Sequence, residues 1–217
     1  MTNKVKKTFV LSALFLLPLL LYIFISSGVN NFGRLPILSE NVIDVSEIDS
    51  AKTTTFKRNI SIVVFLGEDI ESVKGGFFNL NQKIYKPFYG FKDFQLVAVY
   101  PNDKKEDVLK LKQEIGKFTD LVKWKFIGAS AAEIEAVYES FSTNDSLTSL
   151  YVNKAFIIDK EGKLRGRVDD KESVDGKLYG YNMHSVAELN NKMKDDVKVV
   201  LAEYRLALKK NNADREI

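Results

Sequence analysis

The sequence has no cysteine and only one histidine among its 217 residues. A chain without cysteine has no disulfide, no thiolate ligand for zinc, no cysteine nucleophile and no dithiol redox couple. A single histidine also excludes a multi-histidine metal site within one chain. From these absences we expect a domain that is stabilised by packing alone and holds no cofactor.

Basic residues are not in excess over most of the chain. The formal net charge is +3, from 32 lysines and arginines against 29 acidic residues. Lys4, Lys6 and Lys7 carry this excess, because they are the only charged residues in the first 30 positions. A nucleic-acid-binding domain needs a concentrated basic face. We therefore expect no nucleic-acid partner.

A long uncharged run follows the three lysines. Residues 8–27 are mostly apolar, and a helix of this length reaches roughly 30 Å, enough to cross a bilayer. We predict an uncleaved signal-anchor over residues 1–28. Its basic flank would keep the N-terminus in the cytoplasm and export the rest of the chain, to the periplasm or another extracytoplasmic compartment. A cleaved signal peptide is the alternative, and it would export the domain equally.

Strand and helix patterns alternate after this segment. Nearly continuous β-branched and apolar runs are typical of strands buried on both faces. Five strands are predicted, at residues 60–66, 94–100, 123–128, 152–158 and 163–168. Gly162 fits the turn between the last two, and the final strand is predicted at an edge of the sheet. Two short edge strands are predicted earlier, at residues 35–38 and 42–45.

Apolar residues at spacings of three and four predict helices between these strands. One such stripe contains Val108, Leu111, Ile115 and Phe118. Capping boxes are predicted at Asp103–Glu106, Ser130–Glu133 and Ser185–Glu188. The order β-α-β-α-β-α-β-β-α predicts an α/β fold, with helices on both faces of a central sheet. We assign residues 29–58 to a spacer with irregular structure, 59–210 to the domain and 211–217 to a polar tail.

Three stretches carry a resemblance to a known family. They are the strand and helix from Val99-Tyr100-Pro101 to Asp107-Val108-Leu109-Lys110, the strand Trp124–Gly128 with the helix at Ile134, and the hairpin Ile157–Leu164. Together they resemble the thioredoxin superfamily, and within it the Sco family of membrane-anchored copper chaperones for cytochrome oxidase assembly. The resemblance implies a thioredoxin-like sheet behind a single N-terminal anchor.

The chain departs from that family at its functional residues. Sco proteins bind copper through a Cys-x-x-x-Cys after the first core strand and through a distant histidine. The corresponding stretch here, Glu68–Gly75, has no thiol, and spacing from Asp159 places Tyr151 where the histidine belongs. The proline that usually precedes this strand in the superfamily is also missing. The resemblance therefore implies the fold without copper delivery or thiol–disulfide chemistry.

The positions of the family's active loop remain candidate functional residues. Glu68, Asp69 and Glu71, together with Tyr151, are predicted to form a partner surface. Carboxylates at a helix N-terminus are also favoured by the helix dipole, which would explain the acids without a function. They could alternatively bind a hard cation or a basic partner.

Other polar residues are predicted to be structural. Met183 and His184 could help to hold Cu(I), but His184 directly precedes the Ser185 helix cap. The loop acids Asp169, Asp170, Glu172 and Asp175 do not match an EF-hand and are predicted to be solvated. Arg165 and Arg167 are predicted to share a face of an edge strand and to block unwanted pairing.

We therefore predict a non-catalytic, membrane-anchored protein of thioredoxin fold. It would act as an accessory or partner-binding protein of the cell envelope, with a protein partner still to be identified. Respiratory-complex assembly is suggested by the family analogy alone. The alternatives are a metal-handling protein that uses carboxylates and His184, and an enzyme with an unrecognised carboxylate- or tyrosine-based site.

Overall fold

The computed structural model describes residues 3–26 and 33–213. It divides into two compact units, Met1–Gly33 and Arg34–Ile217. The first contains helix α1, Asn3–Ser26. Within it, Val5–Phe24 has a mean hydropathy of 2.1 and is long and apolar enough to cross a membrane. A signal sequence near the N-terminus can meet the same criterion of length and hydropathy.

The second unit is built on a sheet of seven strands within the described residues. Their order is β1-β6-β5-β2-β3-β4, and β7 pairs with β5. β2, β3 and β4 are parallel, whereas β5 runs antiparallel to β2. The strands are β1 (Ile37–Ser39), β2 (Ile60–Phe65), β3 (Phe94–Pro101), β4 (Trp124–Ala129), β5 (Lys154–Ile158), β6 (Leu164–Arg165) and β7 (Tyr181–Asn182).

Helices cover both faces of this sheet. The segment after β2 is one continuous helical stretch, α2 (Ile70–Leu80), a π-turn (Asn81–Tyr85) and α3 (Lys86–Phe88). α4 (Lys105–Gly116) and α5 (Ala131–Glu139) follow β3 and β4. The last helical stretch is α6 (Val186–Glu188), a π-turn (Leu189–Met193) and α7 (Lys194–Ala213).

Two apolar cores form on the two faces, because the buried strands present side chains to both. On one face, Ile62 and Leu96 pack with Phe77, Leu111 and Val197 from the helices. On the other, aromatic residues around α5 form edge-to-face contacts, with Phe65 and Phe141 ring centroids 5.7 Å apart. The predicted α/β architecture with helices on both faces is confirmed.

The segment before β2 belongs to the compact unit from Arg34 onward. β1 pairs with β6, and the side chains of Val45 and Phe56 are fully buried. The second predicted edge strand, residues 42–45, is wrong. Asp44 instead accepts a hydrogen bond from the Ser46 amide and caps a 3-10 turn, Val45–Glu47.

The predicted helix starts have different outcomes. The Ser130–Glu133 capping box is present, with both reciprocal hydrogen bonds. Ser185 accepts from the Glu188 amide, but the Glu188 carboxylate accepts from the Asn182 amide, so this box is only half formed. The box at Asp103–Glu106 is absent because a 3-10 turn, Asn102–Lys104, precedes α4.

Two exposure predictions are also wrong. β6 is not at an edge, because it lies between β5 and β1, and it spans only two residues. Phe118 does not continue the buried stripe of α4, because the helix ends at Gly116 and the Phe118 side chain is 60% exposed.

Candidate functional site

The loop after β2 is fixed against the segment before β5. Leu66 and Tyr151 form an antiparallel bridge, and the Glu68 amide donates to the Ser149 carbonyl at 3.1 Å. Gly67 between them has a φ of +70°. A Cβ at this position would clash with the Cβ of Tyr151 and lie 2.9 Å from the Ser149 oxygen. Only glycine therefore fits where these two segments meet.

The opposing segment is a tight turn with strained backbone. Thr148 and Tyr151 exchange backbone hydrogen bonds of 2.9 and 3.0 Å around the residues Ser149 and Leu150. Both central residues have positive φ, +48° and +58°, as a type I′ turn requires. Neither is glycine or asparagine, so each costs on the order of 1–3 kcal/mol. Such strain persists only where the surrounding contacts hold it.

The N-terminus of α2 follows this loop directly. Asp69 is its N-cap, and its carboxylate accepts a hydrogen bond of 3.2 Å from the Ser72 amide. Glu71 lies in the first turn and forms an ion pair with Lys74. The Lys74 ammonium also lies 3.5 Å from the Glu114 carboxylate, which links α2 to α4. The hydrogen bond with Glu71 and the two carboxylate charges raise the pKa of Lys74.

A charged cleft of about 340 Å³ lies between α2 and α4. Its lining carries five carboxylates and two ammonium groups over a small apolar floor. The lining residues are Glu68, Asp69, Ile70, Glu71, Lys74, Asp107, Lys110, Leu111 and Glu114. The cleft lies at the carboxyl ends of β2 and β3, the edge at which open α/β sheets bind their ligands.

Sequence reasoning identified only one wall of this cleft. Glu68, Asp69 and Glu71 were among the predicted residues, whereas Lys74, Asp107 and Glu114 were not. An acid–lysine spacing of three on each helix was a visible signal, as in Asp107 and Lys110, whose charged groups lie 3.0 Å apart. The packing of α2 against α4 had no such local signal.

Tyr151 lies beside this site as a neutral phenol. Burial raises its pKa to about 12, and its hydroxyl donates to the Asn153 side-chain oxygen at 3.2 Å. Asn153 continues the polar chain by donating to the side chain of Asn182 at 2.8 Å. A phenol that stays protonated at neutral pH is a hydrogen-bonding group and a poor base or nucleophile.

Met183 and His184 both lie against Gly76 of α2 but differ in exposure. The Met183 side chain is fully buried in the core, and its carbonyl accepts from Asn79 of α2 at 3.2 Å. His184 is exposed, and its ring lies beside Gly76, with Nε2 3.5 Å from where a Cβ would be. Among the described residues, no three His, Asp or Glu side chains converge as a metal-ligating group.

The solvated-loop prediction for residues 169–175 is wrong for Asp170 only, since Asp169, Glu172 and Asp175 are exposed. Asp170 is buried, and both it and Glu172 lie 2.7 Å from the Lys192 ammonium. Burial opposes ionisation of Asp170, but the hydrogen bonds from Lys192 and the Glu172 amide outweigh it and lower its pKa. Asp175 instead accepts from Asn144 at 2.8 Å. Asp170, Glu172 and Asp175 therefore take part in separate ion pairs and hydrogen bonds.

The two arginines assigned to an edge strand are buried or bound instead. Arg165 donates to the carboxylates of Asp159 and Glu203 at 2.7 and 2.6 Å, and to the Leu35 carbonyl at 2.7 Å. Arg167 holds Asp196 of α7 with two hydrogen bonds of 2.7 and 3.0 Å. Both arginines attach the C-terminal helix to the sheet, and the edge-blocking interpretation is wrong.

A second cavity, of about 360 Å³, lies between α5 and the loop that follows it. Its lining is largely polar and includes Tyr138, Thr143 and Asp145. The Tyr138 hydroxyl lies 3.0 Å from that of Thr143, and Asp145 pairs with Lys154 at 2.5 Å. These groups satisfy one another, which favours a structural role for this cavity.

Neither of two sequence comparisons identifies a relative. No protein-family model matches the chain, and no curated protein is similar to it at a significant level.

Solved structures do match the compact unit. A candidate protein disulfide isomerase from Bacteroides thetaiotaomicron has 11% identity, covers 77% of this chain and 91% of its own, and gives a TM-score of 0.50. A candidate electron transport protein from Aquifex aeolicus VF5 has 15% identity, with coverages of 77% and 98% and a TM-score of 0.50. A SCO1/SenC family lipoprotein from Bacillus anthracis str. Ames has 15% identity, with coverages of 80% and 99% and a TM-score of 0.48.

Identities this low establish a common fold and no common activity. The shared architecture agrees with the strand order and with the two helical layers described above. The compact unit therefore has the thioredoxin fold.

Proposed function

We propose that this protein is a membrane-anchored thioredoxin-fold protein that performs no thiol chemistry and binds a protein partner in the cell envelope. The cleft between α2 and α4 is the proposed binding site. The observation that carries the proposal is the replacement of a thiol site by charged side chains, at a loop whose backbone is tightly fixed. The 217 residues contain no cysteine that could act in its place.

The charge of the cleft supports a partner of a particular kind. Five carboxylates against two lysines give the lining a negative balance. Lys74 is engaged by Glu71 and Glu114, and Lys110 by Asp107, which leaves Glu68 and Asp69 as acids without an ion-pair partner among the described residues. Rim charges of this kind steer association and select partners. The proposed ligand is a basic segment of another protein.

The anchor and the pathway are the finer parts of the proposal. The candidate span Val5–Phe24 and the basic flank before it support an anchored and exported domain. The resemblance to Sco proteins supports a partner among the assembly factors or subunits of respiratory complexes. An enzymatic role finds no support in Tyr151, which hydrogen-bonds only to Asn153 through its hydroxyl in the described structure.

Site-specific photo-crosslinking in membranes tests the partner site. A benzoylphenylalanine at position 110 would lie in the cleft, and one at position 198 would lie on α7. The two are matched, because Lys110 and Lys198 are both exposed and each pairs with an aspartate three residues earlier. We expect a discrete adduct from position 110 alone, which the double substitution Glu68→Gln and Asp69→Asn weakens.

The same experiment can reject the proposal. Identical adducts from both positions, or none from position 110, would show that the cleft is not a partner site. Mass spectrometry of the adduct identifies the partner, and a protein unrelated to respiratory complexes would refute the pathway while leaving the site intact.

A further inference from the structure

We propose that the end of the compact unit opposite the cleft lies on an anionic phospholipid surface. The contact surface, here called the basic–aromatic end, consists of exposed residues in two segments, 86–92 and 117–123. Its apolar members are Tyr89, Phe91, Phe118 and Val122, and its cationic members are Lys86, Lys92 and Lys117. This inference rests on the proposed membrane anchoring and extends it to the orientation of the domain.

The two segments form one surface because specific contacts join them. Lys123 donates to the carbonyls of Phe91 and Lys92, the latter at 3.0 Å. The Tyr85 hydroxyl donates to the Asp120 carbonyl at 2.9 Å and accepts from the Lys123 amide at 3.1 Å. The loop before β4 is thus fixed to the end of the helical stretch that contains α3.

The exposed apolar side chains on this surface are large. Exposed fractions are 40% for Tyr89, 44% for Phe91, 60% for Phe118 and 61% for Val122. Clusters of exposed apolar residues within a polar rim mark interaction surfaces. Aromatic rings interleaved with lysines are suited to the boundary between headgroups and acyl chains, where both chemistries are satisfied.

The lysines of this surface are free to meet an anionic partner. Among the ion pairs of the described residues, none includes Lys86, Lys92 or Lys117. Of the neighbouring acids, Asp93 pairs with Lys160 at 2.6 Å. Within the described structure, the Asp120 carboxylate accepts only from the Val122 amide, at 3.1 Å, and keeps its charge, so three unpaired lysines face one unpaired carboxylate. The local charge is therefore complementary to phosphatidylglycerol or cardiolipin headgroups.

A chain of contacts links Leu35, near the start of the compact unit, to Lys92 of this surface. The Leu35 amide donates to Glu203 at 2.8 Å, and the ring of the adjacent Tyr204 lies 5.6 Å from the Lys160 ammonium. Lys160 in turn holds Asp93, which directly follows Lys92.

The cleft lies at the other end of the sheet. β2 and β3 begin at Ile60 and Phe94, next to the basic–aromatic end, and they finish at Phe65 and Pro101, next to the cleft. A domain that rests on lipid through the first end would present the cleft to proteins away from the membrane.

A fluorescent label on the full-length chain tests this orientation. Because the chain lacks cysteine, Val122→Cys can be labelled at one position with an environment-sensitive nitrobenzoxadiazole dye. Ala132→Cys, exposed at the start of α5 beyond the far end of β4, is the control. Both proteins are reconstituted into nanodiscs of phosphatidylcholine, with or without phosphatidylglycerol.

We expect blue-shifted emission and protection from iodide at position 122 only, and only with the anionic lipid. Each lysine near an anionic surface changes the contact equilibrium about fivefold. The triple substitution Lys86→Gln, Lys92→Gln and Lys117→Gln should therefore lower the equilibrium constant for lipid contact by on the order of a hundredfold. The matched triple substitution Lys105→Gln, Lys171→Gln and Lys198→Gln removes the same charge elsewhere and should leave the signal unchanged.

Equal signals at positions 122 and 132, or the same signal in neutral and anionic nanodiscs, would overturn the inference. A response at position 122 that needs an added membrane extract would also overturn it, since the surface would then bind protein. If the chain fails to insert into nanodiscs, the anchor in the proposed function fails separately. In that case the labelled chain is added to preformed anionic vesicles. A response at position 122 would support the proposed lipid contact of the basic–aromatic end, and no response would contradict it.

Discussion

Gly67 lies against Tyr151 so closely that no larger residue fits between the loop after β2 and the turn before β5. The contact joins two segments that are far apart in sequence, and it holds the Glu68 amide on the Ser149 carbonyl. The position of the acidic loop thus depends on the absence of a side chain at Gly67.

Gly67→Ala should destabilise the protein. The positive φ and the clash with Tyr151 both oppose a Cβ, so we expect a loss of about 1–3 kcal/mol in the free energy of unfolding. Gly75 is the matched control, because it lies in α2 with open space around its Cα. Gly75→Ala should gain about 0.5–1 kcal/mol from helix propensity. Urea unfolding of both variants checks this, and a neutral effect at position 67 would contradict it.

Arg165→Met should destabilise the protein more severely. The substitution leaves the buried carboxylate of Asp159 and the half-buried carboxylate of Glu203 without their cation. Such a change typically costs about 3–5 kcal/mol. Lys198→Met is the control, since its exposed pair with Asp195 is worth at most about 0.5 kcal/mol. Thermal and urea unfolding should separate the two variants clearly. Equal stabilities would mean that the buried pair is replaceable by packing.

Acid should weaken the segment before β2 through Asp49. Burial opposes its ionisation, but hydrogen bonds from the amides of Thr54, Ala51 and Thr53 outweigh burial and lower its pKa. A carboxylate with a lowered folded-state pKa stabilises above its unfolded value of 3.8, and this contribution is lost as the pH falls below that value. Asp49→Asn should flatten the decline in unfolding free energy below about pH 4. If Asp49→Asn left the decline in unfolding free energy below about pH 4 unchanged, the assignment of that decline to Asp49 would be refuted.

Metal titrations should find no tight site. Met183 is buried in the core, His184 is exposed, and no group of three His, Asp or Glu side chains converges as a metal site among the described residues. Calorimetric titration of the full-length protein with Cu(I), Cu(II) or Ca²⁺ should give no stoichiometric binding at micromolar affinity. Binding that His184→Ala or a loop carboxylate substitution abolishes would favour the metal-handling alternative.

The orientation of the anchor can be measured in cells. A single cysteine at position 132 should react with a membrane-impermeant maleimide in intact spheroplasts, because the domain is expected outside. A single cysteine at position 2 should react only after lysis. The reverse pattern would place the domain in the cytoplasm and would remove the envelope from the proposed function.

The sheet was largely predictable from the sequence. Runs such as Ile60–Phe65 are buried on both faces and therefore consist almost entirely of β-branched and apolar residues. The Ser130 capping box was predictable because its two hydrogen bonds join residues three apart. The place of β6 was not, because the strand that covers it has only three residues and lies 125 positions earlier in the chain, from Ile37 to Ser39 against Leu164 and Arg165.

The candidate site was predictable only in part, for a related reason. Glu68, Asp69 and Glu71 follow a recognisable strand. Their position at the start of a helix can be predicted from the neighbouring residues alone. The contact between Lys74 and Glu114 depends on how two helices pack, and no local pattern reports it. The same holds for Arg165, whose carboxylate partners lie at positions 159 and 203.

The hydrogen bonds at the Leu35 backbone have a mechanical consequence. Any tension that an anchored N-terminus transmits would reach the folded unit first at this residue. The three-residue ladder of β1 would resist peeling poorly, but the Leu35 amide and carbonyl are held by Glu203 and Arg165. The force would therefore be transmitted to α7 and the packed core rather than to β1 at the edge of the sheet.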